Sequence, residues 1–431
     1  MDHNQHPHAI EQRKHGSGDK ASGHMGQHGW LILIALIALA FNLRSPLTAI
    51  PPVIGHIRAD LGLNATLSGL LTSIPVLCFG LLTPLVSMLI AGMGLRFSVC
   101  LALGGAAIGL LVRPYSGSMG MFAGTLLIGM ALAIGNIASL MIIARDFSRQ
   151  IHMVTGIYTA ALNVGTMLTG VFTAPLAELV GWRFALASWA ALAVAAMFLW
   201  LWADRHPNSN AHGADPTSDA VAKDSLITHP DEKDNAGTGV LWRRPIVWIL
   251  SAVFAVHLFI YYAITAWLPS YLIEANGMSA TQAGIVASSF QILSLIGALG
   301  VPVIARHYSP GVQLIVMGLF WMLTPLWMLI APAQWPLWSL LGGIAQGGIF
   351  VVAFMLIMQH AVDLDDNRRI STAVQGIGYS LASLGPIMVG HLHEINDSWI
   401  GGFGALSLLA LVLVGSGVAV MRVHLPGQTS A

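Results

Sequence analysis

Long apolar stretches, separated by short polar ones, recur along the whole chain. Most are about 20 residues long, which lets a helix cross roughly 30 Å of hydrocarbon at a rise of about 1.5 Å per residue. They lack the strict alternation of lipid-facing barrel strands, so the pattern predicts an all-α membrane protein. Twelve transmembrane helices are predicted, with the approximate limits Trp30–Val53, Leu67–Ile90, Phe97–Val112, Met119–Ala144, Met153–Ala177, Arg183–Ala203, Ile246–Ile273, Thr281–Ala305, Val312–Ala331, Leu337–Ala361, Ser371–His391 and Ile400–Met421.

Two polar segments interrupt this pattern. Residues 1–29 carry six histidines and contain no apolar core of a secretory signal peptide. We expect a disordered cytoplasmic tail there, with weak metal binding as the alternative. Residues 204–244 are rich in Asp, Asn, Gly and Thr and predict a solvated cytoplasmic linker. The linker would join a six-helix bundle at 30–203 to a second bundle at 245–422, which a short cytoplasmic tail at 423–431 follows.

The composition supports a membrane protein and excludes other classes. Hydrophobic residues make up 55% of the chain and charged residues 9%, with a mean hydropathy of +0.73. A soluble domain carries about 25% charged residues, so an ordinary soluble enzyme is excluded. The 19 basic residues balance the 19 acidic ones, and nothing indicates a nucleic-acid partner. Cys78 and Cys100 lie in apolar runs and indicate neither a disulfide framework nor a metal centre.

No nucleotide-binding loop is visible in the sequence. The glycine-rich stretch at 342–348 lacks the Gly-Lys-Ser/Thr ending of a phosphate-binding loop, and helix packing explains it better. We therefore expect no cofactor and no metal, and a gradient as the source of energy for any transport. The expected partners are a small-molecule solute and the lipid bilayer, with the protein acting as a monomer.

The basic residues are distributed unevenly over the predicted loops. With the N-terminus in the cytoplasm, fifteen of the 19 Lys and Arg residues fall on the inner side, as the positive-inside rule requires. Three residues, Arg58, Arg113 and Arg183, fall on the outer side, and Arg44 lies inside the first span. The distribution predicts a multi-pass protein with both termini in the cytoplasm.

Similar residues recur half a chain apart. The pattern Ala-Thr-x-x-Gly-x-x-x-Ser begins at position 65 and again at position 280. Glu178 and Glu394 are separated by nearly the same interval, and so are Trp182 and Trp399. Chance similarity between helices rich in Ala and Gly is the alternative. The matches in register predict two six-helix bundles in parallel repeat, with a substrate path where they meet.

Arg44 is the one charged residue that lies well inside a predicted span. It is about 21 Å along the helix from Trp30, within the hydrocarbon. A guanidinium there costs at least about 2.5 kcal/mol and should face a cavity or a partner. Every Asp and Glu falls in a tail, a loop or a span end. Three interpretations stay open: the guanidinium donates to carbonyl and amide groups in a structural role, it extends outward toward Pro51, or it faces a central cavity and binds an anionic or electron-rich solute.

Other polar residues within the spans are candidates for the same cavity. Asn42, Ser45 and Thr48 form a polar stripe beside Arg44. The candidate substrate-binding residues are Arg44, Asn42, Thr48, Asn136, Tyr158, Asn163, Tyr261, Tyr262, Gln291, Gln346, Gln375 and Tyr379. Each of the uncharged ones could equally form a helix–helix hydrogen bond. The candidates for proton coupling are His257, which lies well within a span, and Glu178 and Glu394 at outer span ends.

Several motifs resemble a known family. The stretch Asn42-Leu43-Arg44-Ser45-Pro46-Leu47-Thr48 resembles the first-span motif of the cyanate permease and 2-nitroimidazole transporter branch of the major facilitator superfamily. Further matches are Gly135-Asn136 with Arg145-Asp146-Phe147, Tyr261-Tyr262 with Trp267-Leu268-Pro269, and Gln375 with Gly378-Tyr379, Ala382 and Gly385-Pro386. Together they cover nearly all of the membrane-embedded chain, and the 2-nitroimidazole transporters are the closer likeness. The usual loop signature of the superfamily is degenerate at 91–96, where its acidic residue is missing.

The resemblance implies a fold and a function. The fold is two six-helix bundles, and the function is secondary active transport, by an antiporter or a symporter, of a small anionic or nitro-aromatic solute across the inner membrane of a bacterium. The direction of transport stays open. An exporter of unrelated drugs or metabolites is the nearest alternative. A membrane-embedded enzyme would need a catalytic cluster, and the only candidate, at 391–394, lacks the spacing of a helical zinc site. A channel or sensor would not require the repeat.

Overall fold

The computed structural model describes residues 27–147, 150–205 and 241–422. Nearly all of the predicted N-terminal tail and of the predicted linker lies outside these residues, as does the C-terminal tail, so those predictions stay untested. The described residues before the linker are called the N-terminal half, and those after it the C-terminal half.

Helices make up the N-terminal half. They are α1 (Gln27–Thr48), α2 (Ile54–Leu61), α3 (Ala65–Leu81), α4 (Thr83–Met93), α5 (Leu95–Tyr115), α6 (Gly117–Asp146), α7 (Ile151–Val180), α8 (Trp182–Ser188) and α9 (Ala190–Asp204), with a 3₁₀ turn at Pro51–Val53. Helix α1 packs against α6, α7 and α9, and α5 packs against both α6 and α9. The first helix therefore lies at the centre of this half.

The C-terminal half is also helical. Its helices are α10 (Pro245–Asn276), α11 (Ala280–Ile304), α12 (Pro310–Ile330), α13 (Trp335–His360), α14 (Leu364–Ala382), α15 (Leu384–Asn396), α16 (Trp399–Leu409) and α17 (Leu411–Arg422), with a 3₁₀ turn at Pro332–Gln334. Helix α10 packs against α13, α14 and α15, and α12 packs against α13 and α17. The described residues contain no strand, so the predicted all-α fold is confirmed.

The number of spans differs slightly from the prediction. In the described residues, ten helical segments are long and apolar enough to cross a membrane, and the pair α3 and α4, bent by 64°, makes eleven. The predicted span Ser371–His391 is not among them, because α14 begins in a charged segment and the helix is interrupted after Ala382. This segment is nevertheless helical and packs against α3 and α10. The count of twelve is therefore not fully confirmed.

The two halves begin equivalent helices with equivalent caps. The Asn64 side chain accepts a hydrogen bond of 2.8 Å from the Leu67 backbone N–H at the start of α3. At the start of α11, Ser279 and Gln282 form a capping box. Each cap satisfies N–H groups that the first helical turn leaves free. Asn64 and Ser279 each directly precede a copy of the repeated motif, so the sequence repeat coincides with a repeat of local structure.

Helix α1 is interrupted soon after Arg44. Pro46 has no N–H to donate to the carbonyl four residues earlier, and the helix ends at Thr48. The turn Pro51–Val53 and α2 then continue the chain. Arg44 thus lies one helical turn before the end of α1, beside an irregular segment of backbone. Irregular backbone within a membrane protein is tolerated where it is buried in protein or lines a cavity.

Arg113 corrects the sequence-based distribution of charges. Expected in an outer loop, it lies inside α5 and is only 1% exposed. Its Nη1 donates to the Pro46 carbonyl at 3.0 Å, a contact that suits the negative carbonyl end of α1. Its Nε and Nη2 have no hydrogen-bond partner among the described residues. The prediction was wrong because α5 continues to Tyr115 and because α1 supplies a buried acceptor, so Arg44 is not the only arginine within the helices.

The halves meet mainly along three pairs of helices. Helix α3 packs against α14 and α15, and α7 packs against α11. A side chain at Gly69 would collide with the Pro386 carbonyl, and one at Gly284 would collide with the Gly170 carbonyl. These close approaches lie within the first two turns of α3 and α11. We call this the outer end of the molecule, after the predicted orientation, and it is closed in this structure.

Candidate functional site

A cavity surrounds the Arg44 side chain where the two halves meet. Its lining residues are Arg44, Leu47, Thr48, Pro51, Thr72, Tyr261, Tyr262, Thr265 and Ala266. Helices α1 and α3 and the turn after α1 supply one wall, and α10 supplies the other. Four of the predicted substrate-binding residues, Arg44, Thr48, Tyr261 and Tyr262, therefore lie together.

Arg44 is a half-buried residue that lines this cavity, and it has no acidic partner in the described residues. Ion pairs in those residues join other groups, among them Arg96–Asp204, Arg145–Asp146, Arg183–Asp60 and Arg244–Asp366. Pro51 lines the same cavity, so the Arg44 side chain would stay in this site even if it extended toward Pro51. The geometry favours the interpretation in which Arg44 faces a cavity and is available to a solute.

Tyrosine side chains surround the guanidinium. The four are Tyr262, Tyr261, Tyr379 and Tyr158. The Tyr262 hydroxyl is directed at Arg44 and is buried without a hydrogen bond of normal geometry to any described group. The Tyr261 and Tyr262 rings lie 4.9 Å apart at an interplanar angle of 60°. They form an aromatic wall with an unused donor beside a positive charge.

The remaining two tyrosines are held by neighbouring helices. The Tyr158 hydroxyl donates to Asn136 Oδ1 at 3.2 Å, which joins α7 to α6. The Tyr379 ring packs against Phe79 and Phe254 at centroid distances of 5.7 and 5.6 Å. Tyr379 thus places an α14 side chain near Arg44, on the side of the cavity that α3 and α14 close.

A second cavity adjoins the first. Its lining residues are Thr48, Pro51, Pro52, Thr166, Gly170, Thr265, Pro269, Ala287, Ser288 and Gln291. Gln291 Oε1 accepts from the Tyr261 hydroxyl at 3.3 Å, and the Thr48 and Thr169 hydroxyls are 2.6 Å apart. Thr265 Oγ1 is buried without a partner in the described residues. Hydroxyl and amide groups therefore continue from Arg44 toward α7 and α11 without a further charge.

Residues 31–390 match the family model of the Major Facilitator Superfamily. The chain belongs to the Major Facilitator Superfamily. The predicted family is thus confirmed, and with it the expectation of a transporter rather than an enzyme, since the relatives and structural neighbours are transporters.

Two named transporters are similar to the chain over nearly its whole length. The 2-nitroimidazole transporter of Escherichia coli (strain K12) is 27% identical over 402 residues, which cover 92% of this chain and 97% of that protein. The cyanate transport protein CynX of the same organism is 28% identical over 393 residues, which cover 89% of this chain and 96% of that protein. These are the two substrate names that the first-span motif suggested.

Solved major facilitator structures share the fold. The nucleoside transporter NupG has a TM-score of 0.68 at 14% identity, covering 91% of this chain and 100% of that one. The D-xylose–proton symporter has a TM-score of 0.68 at 14% identity, covering 90% and 96%. At this identity the likeness concerns the fold alone.

Several predicted site residues of this major facilitator chain lie elsewhere. Asn42 is 3% exposed, and its amide donates to the Ala38 carbonyl and, at 3.3 Å, to the Leu192 carbonyl of α9. Asn163, Gln346 and Gln375 are not among the residues that line the two cavities. Asn42 therefore serves as a helix–helix contact, and the binding role of the other three stays a prediction.

His257 is packed inside the C-terminal half. It is 1% exposed, and its Nδ1 accepts a hydrogen bond of 2.9 Å from Trp321 Nε1 on α12. It lines neither of the two cavities. Its predicted role in proton coupling stays a prediction, and its surroundings are those of a packing residue.

Glu178 and Glu394 each reach across to the opposite half at the outer end. Glu394 Oε2 accepts from the Thr66 hydroxyl at 2.7 Å and from the Thr66 backbone N–H at 3.1 Å. Glu178 Oε1 accepts from the Thr281 hydroxyl at 3.2 Å. Both threonines lie in the first turn of a helix, where a negative charge is favoured. Predicted as proton carriers, the two carboxylates are here hydrogen-bonding groups of the closed outer end.

Anchors within each half position these carboxylates. Trp182 Nε1 donates to Asp60 at 3.0 Å in the N-terminal half. Trp399 Nε1 donates to Glu274 at 2.8 Å in the C-terminal half. Each tryptophan begins the helix that follows the carboxylate of the outer end, so the positions of Glu178 and Glu394 are fixed from within their own halves.

Sequence reasoning missed two polar residues of the Arg44 cavity. Thr265 follows Tyr262 by three residues on α10, so both fall on one helix face, and this spacing could have identified it. Thr72 occupies an unspecified position within the repeated motif of α3 and carried no separate signal. Its hydroxyl donates to the Gly69 carbonyl at 2.9 Å. Threonine is common in such helices, and only the packing of the two halves shows which threonines line the cavity.

Proposed function

We propose that the chain is a secondary active transporter that moves a small anionic or nitro-aromatic solute through the Arg44 cavity by alternating access. One observation carries the proposal: a guanidinium with no acidic partner in the described residues lies in a cavity between the two halves. Placing an ionised side chain within the membrane is energetically costly, so such a residue usually marks a functional site.

The cavity favours an acceptor-rich, flat solute. Arg44 offers its planar fork of N–H groups, and Tyr262 and Thr265 offer hydroxyls without partners in the described residues. No carboxylate lines the two cavities, so a cationic solute would find no counter-charge there. The tilted pair of Tyr261 and Tyr262 suits a planar group. Cyanate and 2-nitroimidazole, the names attached to two relatives, both fit this chemistry.

The repeated halves and the closed outer end support the transport cycle. Rocking of two bundles around a central site exposes the site alternately to each side of the membrane. We place the protein in the inner membrane of a bacterium with both termini in the cytoplasm, on the strength of the basic inner loops and the bacterial relatives. The site then lies below an outer end that must open for solute exchange with the outside.

Thermal stabilisation of the purified protein tests the proposal. A ligand that binds only the folded state stabilises it by about 2.7 kcal/mol at a concentration 100 times its dissociation constant. We expect cyanate, other small anions or 2-nitroimidazole to raise the melting temperature, and small organic cations to leave it unchanged. Stabilisation by cationic drugs alone would instead support an exporter of unrelated compounds and would contradict the assigned solute class.

The Tyr262 hydroxyl should contribute to solute binding and not to stability. Because it bonds no described group with normal geometry, the variant Tyr262→Phe is expected to keep the melting temperature and to lose about two- to tenfold in solute affinity. Tyr271→Phe is the matched control, since the Tyr271 hydroxyl donates to the Met328 carbonyl away from the cavity. The control should lower the melting temperature and keep the affinity. Binding titrations and melting curves on both variants decide the point.

A further inference from the structure

The Arg44 cavity holds a charge that the protein does not neutralise. A guanidinium stays ionised at every pH at which proteins are stable. The described residues place tyrosine and threonine hydroxyls around it, and these are neutral near pH 7. The site therefore keeps its positive charge throughout the transport cycle unless a solute brings a negative one.

No proton carrier lies beside this charge in the part of the chain that the structure describes. His257 accepts from Trp321 inside the C-terminal half and lines neither cavity. Protonation of His257 would also add a second positive charge rather than neutralise the first. Among the described residues, the spans near Arg44 supply no carboxylate whose protonation could balance the charge of an anion.

Glu394, one of the two carboxylates of the outer end, is a poor proton carrier at neutral pH. The hydroxyl and backbone N–H of Thr66 hold the pKa of Glu394 below its usual value, and His391 on its own helix and Arg58 on α2 act in the same direction. A group with a lowered pKa stabilises the closed state above its usual pKa, and this contribution is lost only as the pH falls through the lowered value. Glu394 thus stays ionised across the neutral range. Glu178 is exposed and bonds Thr281 in the equivalent way.

We propose that the protein is an obligatory anion exchanger, in which Arg44 passes between the outward-open and inward-open states only with an anion bound. Each anion that leaves is replaced by one that travels in the opposite direction. The inference rests on the proposed function, because it requires transport through the Arg44 cavity. It goes further by specifying the coupling: one anion is exchanged for another, and no proton is transported with them.

The reason is the desolvation of the guanidinium. In either open state water solvates Arg44, but between them both ends are closed and most of that water is excluded. A bare arginine at mid-membrane depth is disfavoured by a factor of about 60 to 300 on the membrane-insertion scale. A bound anion pairs with the guanidinium, so the loaded carrier does not pay this penalty. The loaded carrier therefore changes state readily, and the empty carrier does so about 60 to 300 times more slowly.

Counterflow in proteoliposomes tests the exchange. The full chain is reconstituted into vesicles that contain unlabelled cyanate or, as the empty arm, only an impermeant anion, and the membrane potential is clamped at zero with potassium and valinomycin. Uptake of radiolabelled cyanate is then measured. We expect uptake into cyanate-loaded vesicles to exceed that into empty vesicles by about 60- to 300-fold, and an imposed pH gradient to leave the empty arm unchanged.

Three outcomes contradict the exchange. Equal uptake in the loaded and empty arms shows that the empty carrier returns freely, and uptake into empty vesicles driven by a pH gradient shows proton coupling. Absence of uptake in both arms also contradicts it for cyanate. Parallel melting curves separate the failures: if cyanate still stabilises the protein, exchange fails and the binding site stands, and if neither cyanate nor 2-nitroimidazole stabilises it, the proposed function fails too.

A charge-neutral variant links the effect to Arg44. Arg44→Gln keeps hydrogen-bond donors and removes the charge, so cyanate binds more weakly, but the empty carrier no longer closes over an unpaired cation in the cavity. We expect the ratio of loaded to empty uptake to fall toward one at saturating cyanate. Arg422→Gln removes an exposed charge at the opposite end of the molecule and should keep the ratio. An unchanged ratio in Arg44→Gln would contradict the assigned role of the guanidinium.

Discussion

Replacing Arg44 by alanine is expected to abolish transport while leaving the folded protein in the membrane. A hydrogen bond to a charged group contributes about 1.5–3 kcal/mol, so loss of the guanidinium should weaken binding of an anion by about 10- to 150-fold. The fold should survive because Arg44 forms no ion pair in the described residues. Binding titrations, vesicle uptake and a melting curve on the same preparation measure the three quantities.

Two further variants sharpen this prediction. Arg44→Lys keeps the charge and loses the planar fork, so an intermediate affinity is expected. Arg244→Ala is the control for damage to the fold, because Arg244 bonds both carboxylate oxygens of Asp366 at 2.8 and 2.7 Å and also the His360 carbonyl. That control should lower the melting temperature and keep the affinity. Normal transport by Arg44→Ala would remove this residue from the mechanism.

The second large effect concerns closure of the outer end. In Gly69→Ala the added methyl carbon would lie 2.8 Å from the Pro386 carbonyl carbon and 3.0 Å from Ile387 Cα, which is closer than real contacts allow. In Gly284→Ala it would meet the Gly170 carbonyl. Overpacking of this kind costs about 1–3 kcal/mol. Because both contacts lie between the halves, the cost falls on the closed state, and each variant should shift the equilibrium toward the outward-open state by about 5- to 150-fold.

Distances between spin labels measure this shift. Cysteines at the exposed positions Tyr115 and Ile400, in a background without Cys78 and Cys100, would report the separation of the halves at the outer end. We expect a longer distance and slower transport in both glycine variants. Gly104→Ala and Gly404→Ala are controls, since nothing lies within 4 Å of the added carbon there. An unchanged distance would count against a gating role. A large fall in melting temperature would count against it too, because it would indicate damage to the fold.

The sequence predicted the fold and the centre of the candidate site because both depend on strong, local signals. Apolar stretches of membrane length predict helices wherever they occur, and one arginine among them is a large energetic exception. Arg44 could therefore be singled out without coordinates. The repeat of Glu178 and Glu394 was also visible, and the structure adds the reason for it: each carboxylate bonds a threonine of the opposite half.

What the sequence could not supply depends on contacts between distant residues. Arg113 looked like a loop residue because nothing local shows that the carbonyl end of α1 lies against α5. Asn42 was predicted to contact the solute, because nothing in the local sequence shows that α9 lies beside it. In the structure its side-chain amide donates to the carbonyl of Leu192, which is far along the chain. The positions of Thr72 and Thr265 in the cavity likewise follow from the meeting of α3 with α10. Amide and hydroxyl side chains are easily buried in pairs, so their presence alone does not reveal which face they occupy.

The two Thr–Glu contacts of the outer end have the pattern of an isologous interface. Two identical six-helix chains related by a twofold axis would form both contacts from one threonine and one glutamate. In such a homodimer every residue near the axis occurs twice, so an arginine at position 44 would face its own copy across the cavity. In the single chain, the repeat that pairs Ala65 with Ala280 pairs Arg44 with Phe259. Joining the halves in one polypeptide thus permits a single guanidinium, with no second arginine to repel it. The binding site can then be asymmetric although the contacts of the outer end are symmetric.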